Sequence, residues 1–170
     1  DTIQELAKEV GFENIQGIGI GAPNGNYYTG TIEDAANLAW AKGITVYLAK
    51  EVSENLNNIP VTITNDANAA AVGEMKYGAA KGMKNFIMIT LGTGVGSGII
   101  INGELVYGHD GFAGELGHVT SERVNGRPCG CGKTGCLEAY CSAIGVAKTA
   151  KEWLENSDEP SLLREVKDIT

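Results

Sequence analysis

The segment from Gly114 to Glu138 (GELGHVTSERVNGRPCGCGKTGCLE) constrains the fold of this chain more than any other. It places the cysteines Cys129, Cys131 and Cys136 after His118, among closely spaced glycines. Three thiolates and one imidazole fill the tetrahedral shell of a zinc ion and leave no position for water, which is typical of a structural site. The sequence therefore predicts a zinc ion that orders this loop.

Other roles for these cysteines fit the spacing less well. Three free thiols within eight residues of glycine-rich sequence make poor core sequence, and Cys129 and Cys131 are badly placed to form a disulfide with each other. Cys141 lies five residues after Cys136 and is expected to pack as a small hydrophobic side chain. A four-cysteine shell with Cys141 in place of His118 is the alternative ligand set.

Length and charge limit the partners of the chain. Its 170 residues suffice for one domain, or for one domain and part of another. The 13 basic and 21 acidic residues give a net charge of −8 without a basic cluster, which disfavours direct contact with nucleic acid or anionic membrane. No apolar run approaches the roughly 20 residues of a membrane span. Cysteines that are metal-bound or free favour a reducing cytoplasm.

The first part of the chain alternates predicted helices and strands. Apolar residues at helical spacing predict a helix that ends at Gly11, and the segment 15–23 (IQGIGIGAP) is typical of a buried strand that leads into a turn. Residues 24–45, which include Asn37, contain several turn formers and are predicted to be mostly loop. An amphipathic helix is expected over residues 46–56.

A short β-branched strand at Val61–Thr64 runs directly into Asn65 and Asp66, and an alanine-rich helix is predicted from Ala67 to about Ala79. Aspartate and asparagine are good helix N-caps. A carboxylate at the carboxyl end of a strand also lies where α/β folds bind their ligands. The sequence allows both roles, with one side chain capping the helix and the other projecting.

A second apolar segment, residues 85–91, predicts a strongly buried strand that leads into the glycine-rich turn of residues 92–98. Successive N–H groups without intervening side chains are suited to binding phosphate. No helix follows, because Asn102 and Gly103 predict the turn of a β-hairpin. Further helices are expected over residues 137–153 and from Leu162 onward.

The chain resembles the ROK family of sugar kinases and repressors. The resemblance rests on TNDANAAA, LGTGVGSGIIINGELVYG, GELGH and CGCGKTGCLE, and it is strongest to the bacterial glucokinases of that family. It implies an α/β fold of the actin-like, ribonuclease H-like type, with two lobes and with sugar and ATP in the cleft between them. Residues 1–80 would then belong to the first lobe, and residues 81–170 would begin the second.

The resemblance also assigns roles to individual residues. Asp66 would be the catalytic base that takes a proton from the sugar hydroxyl as it attacks the γ-phosphate. The residues implied to bind the sugar are Asn37, Asn65, Glu115, His118 and Glu138. Those implied to cradle the phosphates of ATP, with bound magnesium, are Gly92, Thr93 and Gly94. His118 would serve both zinc and sugar, so that the metal and substrate sites form one unit.

The chain departs from the family pattern in two respects. Asn24 replaces a glycine that most members have, for which we expect a change of backbone without loss of function. The first phosphate loop of the family, an aspartate followed by Gly-Gly-Thr, and its adenosine-side glycine motif are absent from the sequence. We therefore expect about 50 further residues before this segment and about 100 after it in a two-domain enzyme, and no turnover from the segment alone.

The main hypothesis is therefore an ATP-dependent hexose kinase of carbohydrate metabolism. Glucose is the first candidate substrate, and its phosphorylation would be a step of glycolysis. The alternative is a sugar-responsive repressor of the same family whose DNA-binding region lies outside this chain. A third possibility, a zinc-ordered domain that binds a partner protein, does not explain the accompanying carboxylates. The hexose stays open among glucose, N-acetylglucosamine, N-acetylmannosamine and fructose, and the family resemblance implies a homodimer.

Overall fold

A computed structural model describes residues 2–35 and 38–170 of the chain. Two structural units are present, one formed by residues 1–88 and 98–114 and the other by residues 89–97 and 115–170. The lobe boundary predicted near residue 80 stays a prediction.

The first unit contains short strands and helices in alternation. Its elements, up to residue 77, are α1 (Thr2–Val10), a 3-10 turn (Phe12–Asn14), β1 (Ile18–Gly21), β2 (Gly25–Asn26), β3 (Thr31–Glu33), β4 (Thr45–Val46), α2 (Leu48–Asn55), β5 (Val61–Thr64) and α3 (Asp66–Tyr77). Strand β1 pairs in parallel with β5, and Ile18 lies opposite Val61. Strands β2, β3 and β4 form an antiparallel sheet. The prediction of mostly loop over residues 24–45 missed these three strands, because strands of two or three residues are too short to show periodicity.

Two apolar clusters hold this unit together. The larger one is centred on the fully buried Ile32 of β3 and Ile63 of β5, with Ile20 packed against it. The smaller one contains Ala7 of α1 and Leu56, which follows α2. Helices α1 and α2 are thus found where they were predicted, but of the apolar residues whose spacing predicted α1 only Ala7 is buried. Ile3, Leu6 and Val10 are about half exposed among the described residues.

Helix α3 packs very closely on two strands. A methyl group added at Gly98 would lie 2.5 Å from the Cβ of Ala71, and one at Gly21 would lie 3.1 Å from the Cβ of Ala69. The alanine-rich sequence of α3 permits this approach, as predicted, because small side chains reduce the distance between a helix and a sheet. The same approach brings β1 close to the start of α3, since a Cβ at Gly21 would lie 3.5 Å from the Cα of Asp66.

We expect Gly98→Ala to destabilise the first unit by about 1–3 kcal/mol, because the added methyl group overpacks the contact with α3. Gly19→Ala in β1 is the matched control, since a Cβ there meets nothing within 4 Å. Urea unfolding of both variants measures the difference. Equal stabilities would show that α3 can move away from the sheet at no cost.

The glycine-rich turn lies between two strands of a third sheet. Strands β6 (Phe86–Leu91), β7 (Val95–Ile101) and β8 (Glu104–Leu105) follow one another in sheet order. Positive φ angles at Asn102 (55°) and Gly103 (83°) confirm the predicted hairpin turn between β7 and β8.

The prediction that the strand at residues 85–91 is strongly buried was wrong. Ile87, Ile89 and Leu91 are 56%, 53% and 66% exposed, and the alternate side chains of β6 are half-buried. An apolar run indicates that a strand prefers burial, but it does not show that a covering element is present. Among the described residues, this face of β6 is left open.

In addition to residues 89–97, the second unit contains a cysteine-rich loop and two helices. A 3-10 turn at Leu116–His118 precedes the loop, helices α4 (Glu138–Cys141) and α5 (Ala143–Asn156) follow it, and a further 3-10 turn spans Leu162–Glu165. One continuous helix over residues 137–153 was predicted. The helix is instead interrupted at Ser142, whose extended backbone (ψ 165°) and side-chain oxygen cap the start of α5. Serine competes for backbone N–H groups in this way and so favours helix starts over helix interiors.

None of the helices in the described part of the chain combines the length and the apolar character needed to cross a membrane.

Candidate functional site

Four potential metal ligands converge in the second unit. One ligand atom each from His118, Cys129, Cys131 and Cys136 lies within 4.8 Å of the other three. The Sγ atoms of Cys131 and Cys136 are 3.7 Å apart, and the Sγ of Cys129 is 3.6 Å from the Nδ1 of His118. A tetrahedral zinc ion with Zn–S bonds of about 2.3 Å requires sulfurs about 3.8 Å apart. The donor set and its spacing therefore fit zinc, with His118 rather than Cys141 beside the three thiols.

The protonation of the thiols depends on their surroundings. Burial raises the pKa of Cys129 to about 12 and also raises the pKa of Cys136. Burial opposes ionisation of Cys131 as well, but hydrogen bonds from the Lys133 backbone and from the neighbouring thiols leave its pKa lowered. Three thiols this close do not ionise together without a cation, since each thiolate would repel the next.

The two ring nitrogens of His118 face different groups. Its Nδ1 lies on the side of Cys129, whereas its Nε2 is 4.0 Å from the Oε2 of Glu115. Glu115 is the N-cap of the 3-10 turn at Leu116–His118, and side chains three residues apart lie over one another in such a turn. One nitrogen is thus directed at the thiols while the other faces a partly exposed carboxylate.

The carboxylate of Glu138 connects the cysteine-rich loop with the glycine-rich turn. Its Oε2 accepts a hydrogen bond of 2.9 Å from the Val95 N–H, and its Oε1 lies 3.7 Å from the Sγ of Cys129. A Cβ at Gly94 would come within 2.5 Å of the Glu138 carboxylate. A larger residue at this position would push the Glu138 carboxylate aside, so the glycine allows backbone and carboxylate to approach each other.

The glycine-rich turn uses part of its own hydrogen-bonding capacity. The Gly92 N–H donates to the Gly94 carbonyl at 3.0 Å, and the Gly92 carbonyl accepts from the Ala143 N–H at 2.8 Å. These bonds fasten the turn to itself and to the first residue of α5. The residues predicted to cradle phosphate, Gly92, Thr93 and Gly94, thus form a turn that is fixed by backbone hydrogen bonds. The Gly92 N–H already has an acceptor within this turn.

Asn65 and Asp66 lie in the first unit, where β5 ends and α3 begins. The Oδ1 atoms of both side chains accept from the Ala67 N–H at 2.9 Å, and Asn65 is the N-cap of the helix. Asp66 is exposed, whereas Asn65 is half-buried. Asn65 therefore caps the helix, as one of the two residues was expected to do, but the Asp66 Oδ1 shares the same N–H donor. The projecting role of Asp66 stays a prediction. Asn37, the remaining predicted sugar ligand, lies outside the described residues.

Sequence reasoning missed a polar network that supports the segment before Glu115. Asn26, which is 3% exposed, donates to the carbonyl of Asp110 at 2.9 Å and to the Oε1 of Glu33 at 3.1 Å. Thr31 also donates to this carboxylate oxygen, at 2.8 Å. Asn26 lies in a stretch that was predicted to be loop, and a buried asparagine there gives no periodic signal.

Comparison with known proteins identifies the family. A model of the ROK family matches residues 1–168. The chain belongs to the ROK family. It is 47% identical over 147 residues to a glucokinase of Halalkalibacterium halodurans, a match that covers 86% of this chain and 43% of that protein. The chain thus spans less than half the length of this ROK relative.

Solved ROK structures share the fold. The ROK glucokinase of Streptomyces griseus, crystallised with glucose and AMPPNP, is 35% identical, with a TM-score of 0.72 over 91% of this chain and 50% of that one. A ROK family transcriptional regulator, described as a homologue of the Escherichia coli MLC protein, is 27% identical, with a TM-score of 0.81 over 99% of this chain and 42% of that one. These matches confirm the mixed α/β fold of ROK proteins. Both a kinase and a regulator carry it.

Proposed function

We propose that this ROK protein is an ATP-dependent hexose kinase, with glucose as its first candidate substrate and glucose 6-phosphate as the product. The observation that carries the proposal is the Glu138 carboxylate, which contacts both the cysteine cluster and the glycine-rich turn. A carboxylate suited to sugar hydroxyls and a turn suited to phosphates thereby form one piece of structure. A protein that only sensed sugar would have no need for the turn.

Each candidate residue then has a chemical task. The carboxylates of Glu115 and Glu138 accept hydrogen bonds from the sugar hydroxyls, and the Nε2–H of His118 donates one. Asp66 takes the proton of the attacking hydroxyl, since phosphoryl transfer requires alignment, charge neutralisation and a proton acceptor. Asn65 is proposed to contact the sugar with its amide group while its Oδ1 caps α3. Asn37 is kept as a proposed sugar ligand on the family resemblance alone.

The turn at Gly92, Thr93 and Gly94 is proposed to lie against the phosphates of ATP. Magnesium bound to those phosphates supplies charge neutralisation. Zinc held by His118 and the three cysteines supplies rigidity only, because its shell of four protein ligands leaves no position for substrate.

The second candidate function is a sugar-responsive regulator. It is favoured by the match over 99% of this chain to a ROK transcriptional regulator. Such a protein would bind sugar through the same carboxylates and would not turn over ATP.

A hexose panel distinguishes the two functions. The full-length protein is incubated with ATP, magnesium and glucose, mannose, fructose, N-acetylglucosamine or N-acetylmannosamine in turn, and ADP release is followed. We expect sugar-dependent turnover on at least one hexose. Calorimetric sugar binding without ADP release would support the regulator instead.

We further propose that the protein works in the cytoplasm as a homodimer. All four cysteines are free thiols in the structure, which suits a reducing compartment. The dimer is proposed from the family resemblance.

Glu138→Gln should raise the KM for the hexose about 10–100-fold, because a hydrogen bond to a charged group contributes about 1.5–3 kcal/mol. The amide oxygen can still accept from the Val95 N–H, so the turn is expected to stay in place and the KM for ATP to change little. Glu122→Gln is the matched control, since Glu122 is an exposed glutamate of the same loop. Steady-state kinetics measure the effect. An unchanged hexose KM in Glu138→Gln would remove this carboxylate from the sugar site.

A further inference from the structure

Arg127 lies in the irregular cysteine-rich loop, yet its side chain contacts several residues of the two helices that follow. Its side chain is only 13% exposed, and its guanidinium carbon lies 4.7 Å from the ring centroid of Tyr140. The Nη1 donates to the carbonyls of Ala139 (3.1 Å) and Gly145 (3.2 Å), and the Nη2 forms an ion pair with Glu152. One planar guanidinium thus reaches α4, α5 and the aromatic ring at once.

These contacts lie at the interruption between α4 and α5. In an uninterrupted helix, the Ala143 N–H would donate to the Ala139 carbonyl four residues earlier. Because the chain breaks at Ser142, the Ala143 N–H donates instead to the Gly92 carbonyl of the glycine-rich turn, at 2.8 Å. Arg127 supplies the donor that the Ala139 carbonyl has lost.

We propose that Arg127 is a positioning residue that keeps this helix interruption in place. By satisfying the Ala139 carbonyl, it leaves the Ala143 N–H free to hold the turn at Gly92. By clamping the residues directly after Glu138, it also fixes the carboxylate that accepts from Val95. Arg127 thereby sets the relative position of the proposed sugar-binding carboxylate and the proposed phosphate turn without contacting either ligand.

Two further features of the structure support this assignment. A Cβ at Gly145 would lie 2.7 Å from the backbone of Tyr140, so α4 and α5 approach too closely for a larger residue at the junction. The Arg127 main chain is fixed as well, since its N–H donates to the Tyr140 hydroxyl and its carbonyl accepts from the Gly135 N–H. A flexible lysine with a single ammonium group cannot reproduce the planar fork.

The test uses Arg127→Met and Arg127→Lys in the full-length protein, with Arg123→Met as the control at an exposed arginine of the same loop. Hydrogen exchange of the Val95 and Ala143 amides, followed by mass spectrometry of short peptides, reports the clamp without reference to catalysis. Zinc content and the KM values for hexose and ATP are measured on the same preparations.

In Arg127→Met we expect exchange of both amides to accelerate at least about tenfold, corresponding to about 1.4 kcal/mol of lost protection. Zinc should stay bound, and both KM values should rise. Arg127→Lys should fall between Arg127→Met and the wild type, and Arg123→Met should behave as the wild type. Unchanged hydrogen exchange at Val95 and Ala143 in Arg127→Met, with or without loss of zinc, would overturn the proposal.

The kinetic part rests on the proposed hexose kinase, whereas the exchange part does not. If the wild-type protein turns over no hexose, the proposed function fails while hydrogen exchange still decides the role of Arg127. If the wild type is active and Arg127→Met accelerates exchange without raising either KM, the clamp exists but does not position the site, and the proposal is wrong.

Discussion

Replacement of Asp66 by asparagine is expected to lower kcat for hexose phosphorylation about 10²–10⁴-fold, which is the usual contribution of a general base. Asparagine has the same shape and retains the Oδ1 that accepts from the Ala67 N–H, so the start of α3 should be preserved. The dissociation constant of the hexose should therefore change little. Steady-state kinetics and calorimetry on the full-length protein measure the two quantities.

Asp158→Asn, at an exposed aspartate after α5, controls for loss of one negative charge. If Asp66→Asn kept its kcat, Asp66 would be a helix-start residue without a catalytic task. If the variant lost stability together with activity, the result would show only that the side chain supports α3.

The second large effect is expected from loss of the metal. Cys136 is 1% exposed and its thiol lies among the other proposed ligands, so Cys136→Ser should abolish zinc binding. Loss of a structural metal is one of the changes that can lower the free energy of unfolding by more than about 4 kcal/mol. Because His118 would lose its fixed orientation, hexose binding should weaken roughly 10–100-fold. A strong chelator applied to the wild type should loosen residues 118–138 and weaken sugar binding in the same way.

Cys141→Ser is the matched control and also decides the ligand set. The Cys141 thiol donates to the Leu137 carbonyl at 3.2 Å, a bond that serine can make, and it lies outside the cluster. This variant should keep one zinc and full hexose affinity. Zinc loss in Cys141→Ser would instead support a four-cysteine shell, and hexose binding that survives chelation would separate His118 from the sugar.

The sequence was sufficient to predict the elements that depend on local chemistry. The strand Val61–Thr64 and the Asn102-Gly103 turn are found as predicted, because β-branched residues and an Asn-Gly pair limit the backbone directly. The convergence of His118 with three cysteines was also predictable, since ligand type and spacing restrict where a metal can be held.

Features that depend on tertiary contacts were not predictable. At Ser142 one helical hydrogen bond is lost, and Arg127 and Gly92 bind the Ala139 carbonyl and the Ala143 N–H that it would have joined. Both partners are distant in sequence. The contact of Glu138 with the Val95 N–H likewise joins residues 43 positions apart. The open face of β6 could not be foreseen from its apolar composition.

The most direct test of the proposed phosphotransferase is transfer of label from [γ-³²P]ATP in a single turnover by the full-length protein. Glucose and 6-deoxyglucose are compared, since the second lacks the hydroxyl that would be phosphorylated. The hexose kinase predicted here should label glucose and leave 6-deoxyglucose unlabelled. The kinase would be contradicted if glucose bound without acquiring label and no other hexose acquired label either. That result would identify the protein as a sugar-responsive regulator.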